Sequence, residues 1–380
     1  MVQRSLVCLL FLSLLAGCSA DCGPQEMGEQ RPDNGAWIGL SASEHHTCAV
    51  RDTGRVACWG RNQEGQLGDG SNAGRCHPRD VPGLSDVVQV ATGRKHTCVR
   101  RQNGDLMCWG DNSNGQVGDG TTENRSEPVS VPGVTDVVEL IAGDFHTCAR
   151  TNPGEVLCWG ANGQGQVGDA TTETRTRPVE VSGLLNARQI GASQTHSCAL
   201  REDGQMVCWG GNANGQLGDG TTANRTEPVV VAGLGEVVDI GPGHYHSCAR
   251  TDAGEVFCWG SNAEGQLGDG TNDARLEPAA IPGLSVTQLA IGHHSCARRG
   301  GEVLCWGQGN SGEIGNSEMA HQSVPVRAGG VDDAFDLAAG GHHNCALREE
   351  GSIVCWGKND FGQLGDGTKS NRSAPVSILW

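Results

Sequence analysis

Cysteine and histidine are the residue types here whose spacing could do chemistry. The chain of 380 residues holds 18 cysteines, and fourteen of them stand in pairs: Cys48/Cys58, Cys98/Cys108, Cys148/Cys158, Cys198/Cys208, Cys248/Cys258, Cys296/Cys305 and Cys345/Cys355. A histidine precedes the first cysteine of every pair by two residues: His46, His96, His146, His196, His246, His294 and His343. Such an array could bind metal or form disulfides. Zinc sites usually place paired cysteines about two to four residues apart, which the present spacing does not, so no metal ligand is assigned.

The spacing instead brackets a hairpin. In Cys248/Cys258 the intervening turn centres on Asp252-Ala253-Gly254, with glycine last, where a positive φ is needed. Counting outward from it, residue 248 faces 258. In the sixth pair the spacing is one shorter, but its turn is the two-residue Gly300-Gly301, and Cys296 still faces Cys305. Opposed residues at a non-hydrogen-bonded site of an antiparallel pair lie within disulfide range. Seven cross-strand disulfides are therefore expected, which require an oxidising compartment. Of the remaining cysteines, Cys8 leaves with the export signal and Cys18 takes lipid, as read below, so Cys22 and Cys76 are left as a pair by elimination.

The elements that must carry these hairpins follow from the repeat. A unit of about fifty residues recurs seven times, and Cys258-Trp259-Gly260 through Gly265-Gln266-Leu267-Gly268-Asp269-Gly270-Thr271 shows its most regular stretch. The 59 glycines fit many tight turns, and long runs of helical periodicity are absent. Each unit has four short β-rich runs, for example PVVV, EVVDI, HYHSCART and EVFCWG from Pro228. The expected fold is all-β: a seven-bladed β-propeller with four-stranded blades and one cross-strand disulfide per blade. Trp37-Ile38-Gly39-Leu40 aligns with the second run of a unit, and Pro375 to Leu379 is an unmatched first run, so the ring is expected to close by pairing N- and C-terminal strands in one blade.

The G-x-x-H-x-C-A, G-x-V-x-C-W-G and N-x-x-G-Q-L-G-D-G elements resemble those of the regulator of chromosome condensation repeat family, over residues 36–380. The resemblance implies a seven-bladed propeller, a structural place for the repeat histidine, and guanine-nucleotide exchange as the family's founding activity. It also covers secreted bacterial relatives that are protein inhibitors of β-lactamases. Fold does not carry function by itself.

The first 17 residues read as an export signal, with Arg4 before an apolar run from Leu6 to Leu15 that is too short to span a bilayer. Leu15-Ala16-Gly17-Cys18 resembles a bacterial lipobox, which implies acylation of Cys18; Ser19 then favours the outer membrane. Residues 18–35 are polar and aperiodic and read as a tether between lipid and propeller, and residues 36–380 as the propeller itself. The expected location is therefore the bacterial cell envelope, outside the cytoplasm.

The formal net charge of −17 argues against nucleic acid as the main partner. No catalytic triad spacing, HExxH or P-loop is present. No catalytic residue and no cofactor is assigned, and a monomer is expected. An Asp and an Arg six residues later recur in six long loops, as in Asp219/Arg225, and both vanish together in the sixth loop, at Asn316 and Gln322; an ion pair bracing each loop accounts for this. The histidines are expected to hydrogen-bond turn backbone, and the seven CWG tryptophans to pack between blades.

Specificity has room only where the units differ. The turn before each repeat histidine reads Glu44-His45, Arg94-Lys95, Asp144-Phe145, Gln194-Thr195, His244-Tyr245, His293 and His342. All seven turns are expected on one propeller face, and Arg94, Lys95, Asp144, Phe145, His244, Tyr245, His293 and His342 are the candidate partner-binding residues. The reading is a non-catalytic, lipid-anchored module that binds a protein or surface ligand. Its alternatives are nucleotide exchange on a Ran-like GTPase and an enzyme with its site in the channel.

Overall fold

In a computed structural model, which describes residues 35–380, the chain forms seven four-stranded antiparallel sheets. The first is built from Trp37–Ala42, His46–Arg51, Val56–Gly60 and Arg75–Asp80, and the last from Ala334–Ala339, His343–Arg348, Ile353–Gly357 and Arg372–Ser377. Each blade takes four consecutive strands, and its first strand lines the central channel beside the first strands of its neighbours. The signal, the tether, Cys18 and Cys22 lie outside the described residues.

The expected closure by a shared blade does not occur. Arg372–Ser377 pairs with Ile353–Gly357 of its own unit, and Trp37–Ala42 pairs with His46–Arg51. The four runs are the expected ones, but the blade boundary lies one strand later: the PVVV-type run folds back onto the preceding CWG strand as the outer edge of the same sheet. A long loop followed by an antiparallel return makes that the nearest unpaired edge. The ends instead meet through side chains. Trp37 and Trp380, the two tryptophans outside the repeat, pack edge to face at 5.5 Å, and the Arg51 guanidinium lies over both rings at 4.4 and 4.1 Å.

All seven expected disulfides are present: Cys48–Cys58, Cys98–Cys108, Cys148–Cys158, Cys198–Cys208, Cys248–Cys258, Cys296–Cys305 and Cys345–Cys355. Each joins the second and third strands of its blade between directly opposed residues. Cys108 faces Cys98, Cys158 faces Cys148 and Cys208 faces Cys198 in the ladder, and the shortened sixth pair keeps the same register. Gly254 and Gly300 take φ of 82° and 61°, as their turns require. Cys76 is buried and disulfide-bonded.

One hydrogen-bond unit joins every blade to the next. His96 Nε2 lies 2.9 Å from Thr147 Oγ1, and that hydroxyl donates to the Gln116 carbonyl at 2.9 Å. Because the hydroxyl proton is committed to the carbonyl, the imidazole must donate through Nε2–H. The same unit recurs around the ring and closes it at His343 and Thr47, 2.7 Å apart. Asn344 takes the hydroxyl's place beside His294: its amide donates to the Glu313 carbonyl and its oxygen accepts from the ring. The histidines thus reach across to the neighbouring blade rather than to turn backbone. The tryptophans do the same: Trp109 donates from Nε1 to the Gln66 carbonyl at 2.9 Å, and all seven are buried between blades.

Six of the seven long loops are organised by one asparagine each. Asn212 donates to Thr221 and Ala223 carbonyls and accepts from Leu217 N, while Asp219 meets Arg225 at 2.7 Å. The Asp–Arg pair forms in all six loops that carry it. In the sixth loop the Asn position is Gly309, and the Ala320 carbonyl packs where a Cβ would stand. There Glu318 accepts from both Asn316 and Gln322 at 3.2 Å, a counterpart of the missing pair.

Candidate interaction face

Each first strand runs from one mouth of the channel to the other, then reverses through the short turn before the repeat histidine. That places all seven turns at one mouth. Successive turns are joined by backbone: Arg94 N donates to Asp144 O at 3.3 Å, Asp144 N to Ser193 O at 3.0 Å, His244 N to Gly292 O at 3.1 Å, and Gly341 N to Ser43 O at 3.3 Å. The approach is so close at Gly292 that a Cβ would overlap the Gly340 carbonyl. Five of the seven turns open with glycine for this reason, and Ser43 and Ser193 open the other two.

The variable side chains of these turns meet over the channel. His244 Nε2 lies 3.5 Å from Asp144 Oδ1, across the intervening fourth blade. The His244 and His293 rings are 3.7 Å apart, and His293 stacks on His342 at 4.5 Å with 7° between planes. His342 Nδ1 in turn lies 3.6 Å from Glu313 Oε1. A row of three imidazoles with a carboxylate at each end therefore caps the channel. Burial pushes His244 down to about 4, and His293 below the histidine range, so both are neutral at pH 7. Burial raises Asp144 to about 6, although the nearby Arg94 opposes it.

Around this row lies a charged rim. Arg94 pairs with Glu44 at 2.5 Å and lies 5.6 Å from the Phe145 ring; Lys95 pairs with Glu64 at 3.0 Å. Tyr245 is 39% exposed at the edge of His293. Of the candidate residues, Asp144 and His244 are buried at 7% exposure each, so they shape the face from below, whereas Arg94, Lys95, Phe145, Tyr245, His293 and His342 reach its surface in part.

Glu313 is not among the candidate residues, yet it is legible in the sequence. It stands where the other six loops hold glutamine, as at Gln266 and Gln363. It keeps the glutamine's scaffold bond, accepting from Ser311 N at 2.7 Å, and turns its second oxygen toward His342. Burial raises its carboxyl, but His342 and His294 more than offset this and hold it below the usual range. Among the described residues no three His, Cys, Asp or Glu side chains are arranged to hold a metal ion.

With this geometry in place, the comparisons define the class. The chain matches the RCC1-like domain over residues 133–379 and the regulator of chromosome condensation repeat over residues 53–100 and 103–150. It belongs to the RCC1-like family of β-propellers, a protein-interaction module type. It is 35% identical to the regulator of chromosome condensation of Xenopus laevis over 71 residues, 18% of this chain and 17% of that protein. It is 35% identical to protein pim1 of Schizosaccharomyces pombe over 68 residues, 14% of this chain and 13% of that one. Each match thus spans under a fifth of the relative. Among solved structures it is similar in fold to Prp20p of Saccharomyces cerevisiae, with 22% identity and a TM-score of 0.76, covering 91% of this chain and 88% of that one; Prp20p was studied for binding to Gsp1p and histones. Human WBSCR16 is similar at 23% identity and a TM-score of 0.74, covering 86% and 94%.

Proposed function

We propose that this chain is a non-catalytic interaction module, acylated at Cys18 and held outside the cytoplasm in a bacterial cell envelope, which engages a protein or surface ligand at the turn-lined mouth. The observation that carries this reading is the contrast between two sets of positions. Those that build the blades repeat seven times, whereas the turn residues that meet over the channel differ from blade to blade. Seven disulfides agree with export.

The test is crosslinking of the lipidated protein in its own envelope, with mass spectrometry of what is captured. One dominant partner, lost with Phe145→Ala and Tyr245→Ala, is expected. A capture set unchanged by both substitutions refutes the assignment of the face. Glu313→Gln refines the result, because it restores the residue of the other six loops and leaves Ser311 N an acceptor. Its stability is expected to stay within about 1 kcal/mol of the parent, while capture falls; a large stability loss with capture intact would make Glu313 a scaffold residue. The matches to regulators of chromosome condensation favour nucleotide exchange as a second reading. It predicts accelerated nucleotide release from a small GTPase at substoichiometric protein, and an exported chain does not meet a cytosolic GTPase.

A further inference from the structure

The opposite mouth carries a feature the repeat does not need. In six of the seven blades the first strand has a β-bulge at its start: between Trp37 and Gly39, Val87 and Gln89, Val137 and Glu139, Ala187 and Gln189, Val237 and Asp239, and Ala334 and Asp336. Each bulge leaves one residue outside the ladder, and a bulge re-aims that side chain. The fourth blade has Arg188 there, so the scaffold accepts a charge. Yet in four contiguous blades, the seventh, first, second and third, the residue is apolar and exposed: Phe335 at 61%, Ile38 at 45%, Val88 at 37% and Val138 at 38%. Four neighbouring apolar side chains left in water at one mouth, with no part in the sheets, point to an apolar contact.

We propose that this arc rests on the surface of a zwitterionic lipid bilayer, with the histidine-capped mouth facing away from it. The inference rests on the lipid-anchored reading above. The chain enters the propeller at this rim: Asp52 N donates to Ala36 O at 2.9 Å, and Ile38 is the first bulge residue. The segment from Cys18 to Gly35 spans at most about 60 Å when extended, so an anchor at Cys18 keeps this rim within reach of the membrane. Asp332 and Glu350 beside the arc are each paired with an arginine, Arg327 and Arg348, and it is the formal net charge of −17 on the chain that disfavours an anionic surface.

The experiment uses the full lipidated chain with Phe335→Trp, or with Tyr245→Trp at the other mouth, on phosphatidylcholine vesicles whose acyl chains carry bromine. Taken as the difference from the parent, which has nine tryptophans of its own, the emission added by Phe335→Trp is expected to shift to the blue and be quenched, and that added by Tyr245→Trp to be unaffected. Phe335→Ser should weaken the vesicle partition of the chain without acyl groups about tenfold, and anionic lipid should weaken it further. The mass of the N-terminal peptide scores acylation separately. An acylated chain whose Phe335→Trp emission is unquenched, or quenched no more than Tyr245→Trp, overturns the inference and leaves the anchor standing. A chain without acyl groups defeats the anchor, and the same quenching at saturating vesicle concentration then decides the arc: its absence overturns the inference as well.

Discussion

The carboxylate of Asp219 accepts from Asn212 Nδ2, from the backbone and hydroxyl of Thr221, and from Arg225 Nε at 2.9 Å. Burial works against its charge, but the Thr221 and Arg225 hydrogen bonds prevail and hold its pKa below the usual carboxylate range. Its contribution to stability is therefore present above the unfolded-state pKa near 4 and is lost as pH falls through the folded value. Arg225 is partly exposed, so Arg225→Ala should cost only about 0.5–1 kcal/mol. Asp219→Asn leaves several donors competing for one weaker acceptor and should cost about 1–3 kcal/mol. In the Asp219→Asn background the arginine should matter less, and denaturant melts of the four species check this. Strictly additive losses would show that the two residues do not act as a pair. The sixth loop is the natural double variant, where Glu318 has taken over the bracing of both neutral side chains.

At the scale of the hairpin, each disulfide closes a short loop between directly opposed strands. Chain-entropy arguments give about 2–3 kcal/mol for a loop of this size. Replacing both Cys248 and Cys258 with alanine should lower stability by that amount. The unreduced, denatured protein should release none of the fourteen paired thiols; many reactive thiols would refute the framework. These pairs were legible because the hairpin turn betrays its own register: a one-residue deletion at Gly300-Gly301 left Cys296 opposite Cys305. Which strand begins a blade was not legible. The runs repeat cyclically, so a blade opening at Pro228 and one opening at Val237 read alike, and only the return of Arg225–Val230 onto Met206–Gly210 decides between them. The candidate face was legible in part. The turns were found from their variability, but the burial of Asp144 and His244 was not, because it depends on side chains crossing from blades that are distant in sequence. The bulged residues at the other mouth look like ordinary strand residues until the register is known.

The whole ring depends on seven neutral imidazoles. Each Nε2–H donates across a blade boundary, and Nδ1 of His96, His146, His246, His294 and His343 meets no partner. Only Ser43 and Ser193 put a hydroxyl beside Nδ1, at 2.9 and 2.7 Å from His46 and His196. A second proton on most of these rings would be a buried charge with nothing to accept it. Burial accordingly pushes His96, His146, His196, His246 and His343 down to about 3. The unfolded chain takes up these protons near pH 6.5, whereas the folded chain refuses them until about 3, so stability must fall as pH drops between those values. Each such histidine contributes about 1.4 kcal/mol per pH unit in that window, and five together about 7. Asp144, raised to about 6 by burial, and Glu139, also raised by burial, work in the opposite direction but are two groups against five. The folded ring should thus be stable at neutral pH and unfold steeply between about pH 6 and 4 even with every disulfide intact. Denaturant midpoints measured across this range check it. A slope corresponding to the uptake of several protons on unfolding is expected. A flat profile from about pH 6.5 to 4.5 would mean that the rings accept protons in place.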